Sequence, residues 1–233
     1  MAPLVVRASR AFRERAPRLR EAFLAQHRGN EVVGLPPSLP RTPVQPVLVG
    51  ALADVVRSAN REDPTMLAEV GYAEPPMTIA GSRVVLVVRT GLGDRRGSLT
   101  KPLRPGLRLP LSQPVTGPCG RYAHEAFAGA GRRREFGEKG RRGGPAFRRS
   151  SIALVAADAA VRSASLASLP RSPAFDLADR IAFSAAVLTR TDERPVAEAF
   201  LAFSCGRSAR ALLREAGFSS LEREEERAHG TGV

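Results

Sequence analysis

The chain has 233 residues, with 36 Lys and Arg against 23 Asp and Glu, for a net charge of +13. Hydrophobic residues make up 43% and charged residues 25%, ordinary globular usage that excludes wholesale disorder and allows one large domain or two small lobes. Lys101 and Lys139 are the only lysines, so 34 of the 36 cations are arginines. With abundant Ala, Gly and Pro, this is the bias of a GC-rich genome, and it weakens the nucleic-acid role that the charge alone invites.

Residues 4–6 read as a short buried strand. Phe12, Ala16, Leu19 and Phe23 then recur at helical spacing as one apolar stripe, with Pro17 weakening the middle of that helix. Residues 34–46 are a Pro-rich loop, 47–49 a short strand, and 53–56 a β-like run that stops before Ser58. A helix follows over 63–70, with Asp63 and Pro64 in its first turn and Gly71 as its stop. The run RVVLVV at 83–88 is the clearest strand, apolar throughout and suited to burial on both faces in a parallel or mixed sheet.

Residues 91–106 read as loop, 107–111 as a strand, and a Gly-Pro-Cys-Gly turn at 117–120 opens a helix carrying Tyr122, Ala126, Phe127 and Ala130. The tract 131–149 is rich in Gly and holds Arg132, Arg133, Arg134, Lys139, Arg141, Arg142, Arg148 and Arg149 against Glu135 and Glu138. It reads as a solvated loop or as a polyanion-binding tract. Order resumes over 152–161, a strand spans 181–188, a long helix spans 195–216, and Gly217 ends it. The tail from 222 is charged and frayed. Strands alternating with helices predict an α/β fold with two sheets.

Catalytic and metal chemistry finds little support. His27, His124 and His229 have neither triad nor ligand spacing, Gly91-Leu92-Gly93 lacks the context of a phosphate-binding loop, and the chain reads as a non-enzyme without cofactor. Cys119 and Cys205 lack metal-ligand spacing and read as packed thiols or a disulfide pair. No run of about 18 apolar residues spans a membrane. MAPLVVRASRAFRER lacks a signal-peptide core, so an exported form needs a leader beyond this sequence.

Three segments carry a family resemblance. GALADVVRSANREDPTMLAEVGYAEPPMTIAGSRVVLVV (50–88) resembles the first-lobe signature of the molybdate-binding proteins of ABC importers. RPGLRLPLSQPVTGPCGRYAHEAF (104–127) resembles their second-lobe segment, and AFSAAVLTRTDERPVAEAFLAFSCGRSARALLREAGF (182–218) their closing segment. Together they cover about half the chain, in the family's order.

The resemblance implies a two-lobed, type II periplasmic-binding-protein fold, with two α/β lobes joined by crossing strands. The first lobe would comprise 1–88 and 183–227, the second 89–182. It further implies a monomeric, extracytoplasmic receptor that feeds molybdate or tungstate to an ABC importer permease, although without a leader the cytoplasm stays open. In the family a tetrahedral oxyanion is held by hydroxyls and by main-chain amides at helix starts, without a countercharge. Carried onto this sequence, Ser9 is the first-lobe hydroxyl ligand or a plain helix cap. The second hydroxyl falls to Ser38 or Thr42, and Cys119 with Gly120 supplies an amide at a helix start. One departure is plain: residues 157–162 read ADAAVR where the family carries a Tyr whose hydroxyl reaches the anion. The alternatives are a degenerate relative with altered or lost ligand, and a basic nucleic-acid-binding protein using 132–149.

Overall fold

The computed structural model describes residues 2–9, 12, 16–35, 43–82, 84–88, 128, 152–156 and 181–219. The chain divides into two compact units, Met1–Gly81 with Ala182–Val233, and Ser82–Ile181.

The first unit is built on a five-stranded sheet of order β2-β1-β3-β7-β4. Its strands are β1 (Leu4–Ala8), β2 (Val32–Leu35), β3 (Val55–Ser58), β4 (Met77–Ser82) and β7 (Ile181–Val187). β1 runs parallel to both β2 and β3, with Val6 beside Val55 and Ala8 beside Arg57. β7 is antiparallel to β3, pairing Val187 with Val55 and Ser184 with Ser58.

Alternation along these strands sorts side chains to two faces. One face presents Leu4, Val6, Ala8, Val55, Phe183 and Ala185, all buried. Helices α1 (Ala16–Gln26), α4 (Arg194–Cys205) and α5 (Arg207–Glu215) pack together, and their Phe23, Phe200 and Phe203 join the aromatic core of this side. Phe12, Phe183 and Phe218 form a second ring cluster, with centroids 4.9–5.9 Å apart. These two clusters hold six of the chain's ten Phe. Each fully buried Phe contributes roughly 2–3 kcal/mol by area alone. The opposite face carries Val56 and Ala186 against Val44 and Val47 of α2 (Val44–Leu48) and Leu67 of α3 (Glu62–Glu69).

Asp54, just before β3, ties the unit's elements together. One carboxylate oxygen accepts the Val5 N–H at 2.6 Å and the other the Thr191 hydroxyl at 2.6 Å. Its own backbone pairs with Val5 and Leu188, each at 2.8 Å. The carboxylate therefore sets the start of β1 and the end of β7 against β3.

In the second unit β5 (Val84–Val88) pairs antiparallel with β6 (Ile152–Ala156), Val84 beside Ala156 and Val88 beside Ile152. The RVVLVV run forms a strand as expected, and its described neighbour runs antiparallel to it.

Other expectations also shift. Residues 47–49 do not form a strand: Val47 and Leu48 end α2, and Val44 and Val47 take the same core-facing side of it. Pro17 is the second residue of α1 rather than its middle, a position where a missing amide costs nothing. β3 spans Val55–Ser58, two residues later at each end than the expected 53–56. The single helix expected over 195–216 is two. Gly206 is extended (φ −77°, ψ 168°), and a Cβ there would sit 3.1 Å from the Phe203 carbonyl oxygen, so a residue with a side chain fits this break poorly. Gly71 and Gly217, at φ 78° and 88°, end α3 and α5 as expected. The strand expected at 107–111, the helix carrying Tyr122, the basic tract 131–149, the ADAAVR segment and the tail from 222 lie outside the described residues.

Candidate functional site

The order of the first sheet locates a site before any residue is considered. From β1 the chain passes through α1 to β2 on one side. From β2 it returns through α2 to β3 on the other side of β1, with the two helices on opposite faces. The connections diverge between the C-terminal ends of β1 and β3, and in open α/β sheets that crevice is where ligands bind.

Ser9 stands at this point. Its N–H donates to the Arg57 carbonyl at 2.8 Å, extending the β1–β3 ladder by one residue. The Ser9 carbonyl then accepts from the Phe12 N–H at 3.0 Å, which turns the chain away. The Ser9 hydroxyl oxygen is buried and has no hydrogen-bond partner among the described residues. A buried hydroxyl left unpaired costs about 1–3 kcal/mol, the kind of deficit that a ligand can offset.

Across from it, β3 ends in the turn Ser58-Ala59-Asn60. Side chains fix this turn. Asn60 Oδ1 accepts the Asp63 N–H at 2.9 Å and caps α3, and the Ser58 hydroxyl lies 3.1 Å from Asp63 Oδ2. The Ser184 hydroxyl donates to the Asn60 carbonyl at 2.6 Å. Glu62 and Asp63 then occupy the first turn of α3, where its dipole favours them.

The aromatic face of β3 carries an unexpected buried charge. Arg57 is 2% exposed, and its guanidinium carbon sits 5.0 Å from the Phe12 ring centroid and 5.3 Å from that of Phe200. Its Nε and Nη1 have no hydrogen-bond partner, and no carboxylate pairs with it among the described residues. Burial lowers its pKa from the ordinary arginine value to about 10, which corresponds to about 3 kcal/mol against the charged form. At neutral pH it is nevertheless a cation. Two cation–π contacts, each worth about 1–2 kcal/mol when desolvated, partly offset that penalty.

The unpartnered Ser9 hydroxyl is thus the donor that this corner offers, and a ligand with acceptor atoms complements it. No group of three or more His, Cys, Asp or Glu gathers into a metal site among those residues. Of the residues that the sequence singled out, Ser9 is placed, whereas Ser38, Thr42, Cys119 and Gly120 lie outside the described residues. Cys205 is a half-buried free thiol whose pKa burial pushes up, opposed by Arg210. Sequence reasoning missed the buried Arg57, which is one arginine among 34 and carries no distinguishing signal in the sequence.

The family profile described as bacterial extracellular solute-binding protein matches residues 4–219, and the chain belongs to that family. Proteins of this class deliver captured solute to ABC permeases. The structure is similar to the Azotobacter vinelandii periplasmic molybdate-binding protein (24% identity, TM-score 0.76, 93% of this chain and 99% of that chain covered). It is also similar to the sulfate-binding protein SubI of Mycobacterium tuberculosis H37Rv (19% identity, TM-score 0.74, 94% and 86% covered). A Bordetella ferric binding protein is a more distant likeness (13% identity, TM-score 0.61, 93% and 84% covered). These likenesses give the fold, the type II periplasmic-binding-protein architecture, while the neighbours' ligands differ. Among curated proteins none matches the chain. No helix among the described residues is long and apolar enough to cross a membrane.

Proposed function

We propose that this chain is the receptor of an ABC importer for a small tetrahedral oxyanion, molybdate or tungstate. The observation that carries the reading is the unpartnered, buried Ser9 hydroxyl at the point between β1 and β3 where the connections diverge. A tetrahedral oxyanion offers acceptors in several directions, and the Ser9 hydroxyl offers a buried donor with no other partner among the described residues. By the resemblance, further donors come from Ser38 or Thr42 and from the Cys119–Gly120 turn. The protein acts as a monomer outside the cytoplasm, hands its anion to the permease and performs no catalysis.

Calorimetry with molybdate, tungstate, sulfate and phosphate at fixed ionic strength tests this. Molybdate or tungstate should bind at least about 10-fold more tightly than the other two. Ser9→Ala should weaken that binding by about 10- to 100-fold while leaving the melting temperature unchanged or raised, because a buried orphan hydroxyl is removed. Absence of heat and of thermal shift with all four anions would rule the receptor reading out.

A further inference from the structure

We propose that the solvent faces of α1 and α5 form a basic ridge that holds this protein against an anionic lipid surface. The inference goes beyond the receptor reading above and does not depend on which solute is captured.

Charge on these two helices is placed rather than spread. α1 carries Arg18 and Arg20, and α5 carries Arg207, Arg210 and Arg214, against Glu21 and Glu215. Elsewhere the described residues hold six arginines against nine Asp and Glu, so the described remainder is acidic. Arg18, Arg20, Arg207 and Arg214 are exposed. Arg18 reaches Glu215 at 3.8 Å, which sets the two helices side by side. Leu19 and Phe23 of α1 and Ala209 and Leu213 of α5 are buried, so the exposed arginines lie on the sides turned to solvent.

Folding alone does not account for the stripe on α5. Arg207, Arg210 and Arg214 recur at intervals of three and four, and like charges at that spacing destabilise a helix. Arg207 also opens the helix, at the end where the backbone dipole disfavours a cation, and no acidic residue occupies that first turn. A helix that only faced water would gain from mixed signs. An opposing layer of negative charge turns each of these unfavourable placements into an attraction.

The surroundings of the arginines point to a lipid plane. Pro17, Ala25, Ser208 and Ala211 are exposed and small, so the two helices can lie close against an extended surface. The exposed large apolar residues, Val49, Leu52, Val70 and Met77, lie on other elements, so the contact is electrostatic and no side chain inserts. Proteins of this family serve permeases that sit in a bilayer, whose anionic headgroups are an extended negative surface. The acidic remainder is repelled by that surface, which therefore orients the protein as well as attracting it. Each arginine near an anionic membrane favours the bound state by about 5-fold, and the effect fades beyond about 10 Å at 0.1 M salt.

Sedimentation of the full chain with vesicles tests the ridge, using phosphatidylcholine alone and phosphatidylcholine with about 30% phosphatidylglycerol at about 0.05 M salt. The double variant Arg207→Glu with Arg214→Glu reverses the ridge. Arg61→Glu with Arg190→Glu makes the same change in net charge elsewhere, since Arg61 precedes α3 and Arg190 stacks on Tyr72 just after it. We expect wild type to bind the anionic vesicles alone and to release them by about 0.3 M salt. The ridge variant should lose at least about 30-fold in affinity and the control variant less than about 3-fold. Melting temperatures within a few degrees of wild type separate lost binding from lost structure. If the ridge variant fails to fold, the milder pair Arg207→Gln with Arg214→Gln decides, with an expected loss of about 5- to 25-fold. Four results would overturn the inference: no binding to anionic vesicles, equal binding to neutral ones, equal losses in the ridge and control variants, or tighter binding of duplex DNA that is lost with the same substitutions. None of them bears on anion calorimetry, so the receptor reading stands or falls separately.

Discussion

Replacing Asp54 with alanine should remove the tie that sets β1 and the end of β7 against β3. The carboxylate accepts two short hydrogen bonds, from the Val5 N–H and the Thr191 hydroxyl, each at 2.6 Å. Hydrogen bonds to a charged acceptor are worth about 1.5–3 kcal/mol each. Both are part-buried, so water replaces some of what is lost, and about 2–4 kcal/mol of destabilisation is expected for Asp54→Ala. Thr191→Val removes one of the two and should cost about 1–2 kcal/mol. For a chain of this length each kcal/mol lowers the melting temperature by about 2–4 °C, so the double loss should read as about 5–15 °C. Urea titration at 25 °C, with a double-mutant cycle between the two positions, gives the coupling directly. Asp54→Ala within about 0.5 kcal/mol of wild type, or zero coupling to Thr191, would refute the assignment of Asp54 as a structural tie.

Three further outcomes follow from the packing and the buried charges. Arg57→Met should leave the ligand-free protein within about 1 kcal/mol of wild type in urea titration at pH 7, since the burial penalty of about 3 kcal/mol disappears together with two cation–π contacts of about 1–2 kcal/mol each. The sign with pH is fixed: a base whose folded pKa is lowered to about 10 by burial carries that penalty below pH 10, and wild type loses it only as pH rises from 10 toward the ordinary arginine value. The difference between Arg57→Met and wild type should therefore be flat from pH 7 to 9. Gly206→Ala should cost about 1 kcal/mol by thermal melting, because the added Cβ meets the Phe203 carbonyl oxygen at 3.1 Å. In a Cys119→Ser background, Cys205 should react with a thiol reagent more slowly at pH 8 than a free cysteine does, since burial holds its pKa above the ordinary value.

The α/β layering was legible in the sequence because both periods are clean where they matter. Leu19 and Phe23 mark one helix face and are buried, Phe12 is buried ahead of the helix rather than on it, and the strand at 181–187 matches the expected one within one residue. The misreadings have definite causes. Val47–Val49 is β-branched and apolar, but it follows Val44 at helical spacing, and packing on Val56 and Leu67 overrides local preference. The break at Gly206 hid inside a pattern that keeps helical spacing on both sides of it. Of the candidate site, Ser9 could be named from its place after a strand. Arg57 could not, because an arginine in a chain with 34 of them carries no signal until its burial is seen.

The pairing of β3 with β7 has a cost during synthesis. The Ser184 hydroxyl that closes the β3 turn lies 124 residues along the chain from Asn60. At about 5–20 residues per second, β3 waits roughly 6–25 s for that partner. Until then one edge of β3 and the aromatic side of the sheet lack their partners from β7, α4 and α5, which is the kind of exposed edge that pairs with the wrong chain. Arg7 and Arg57 flank the apolar residues of that nascent sheet, and two charged residues among short Val-rich strands oppose such misassembly. The arginine that burdens the finished fold is thus also placed to protect the unfinished one.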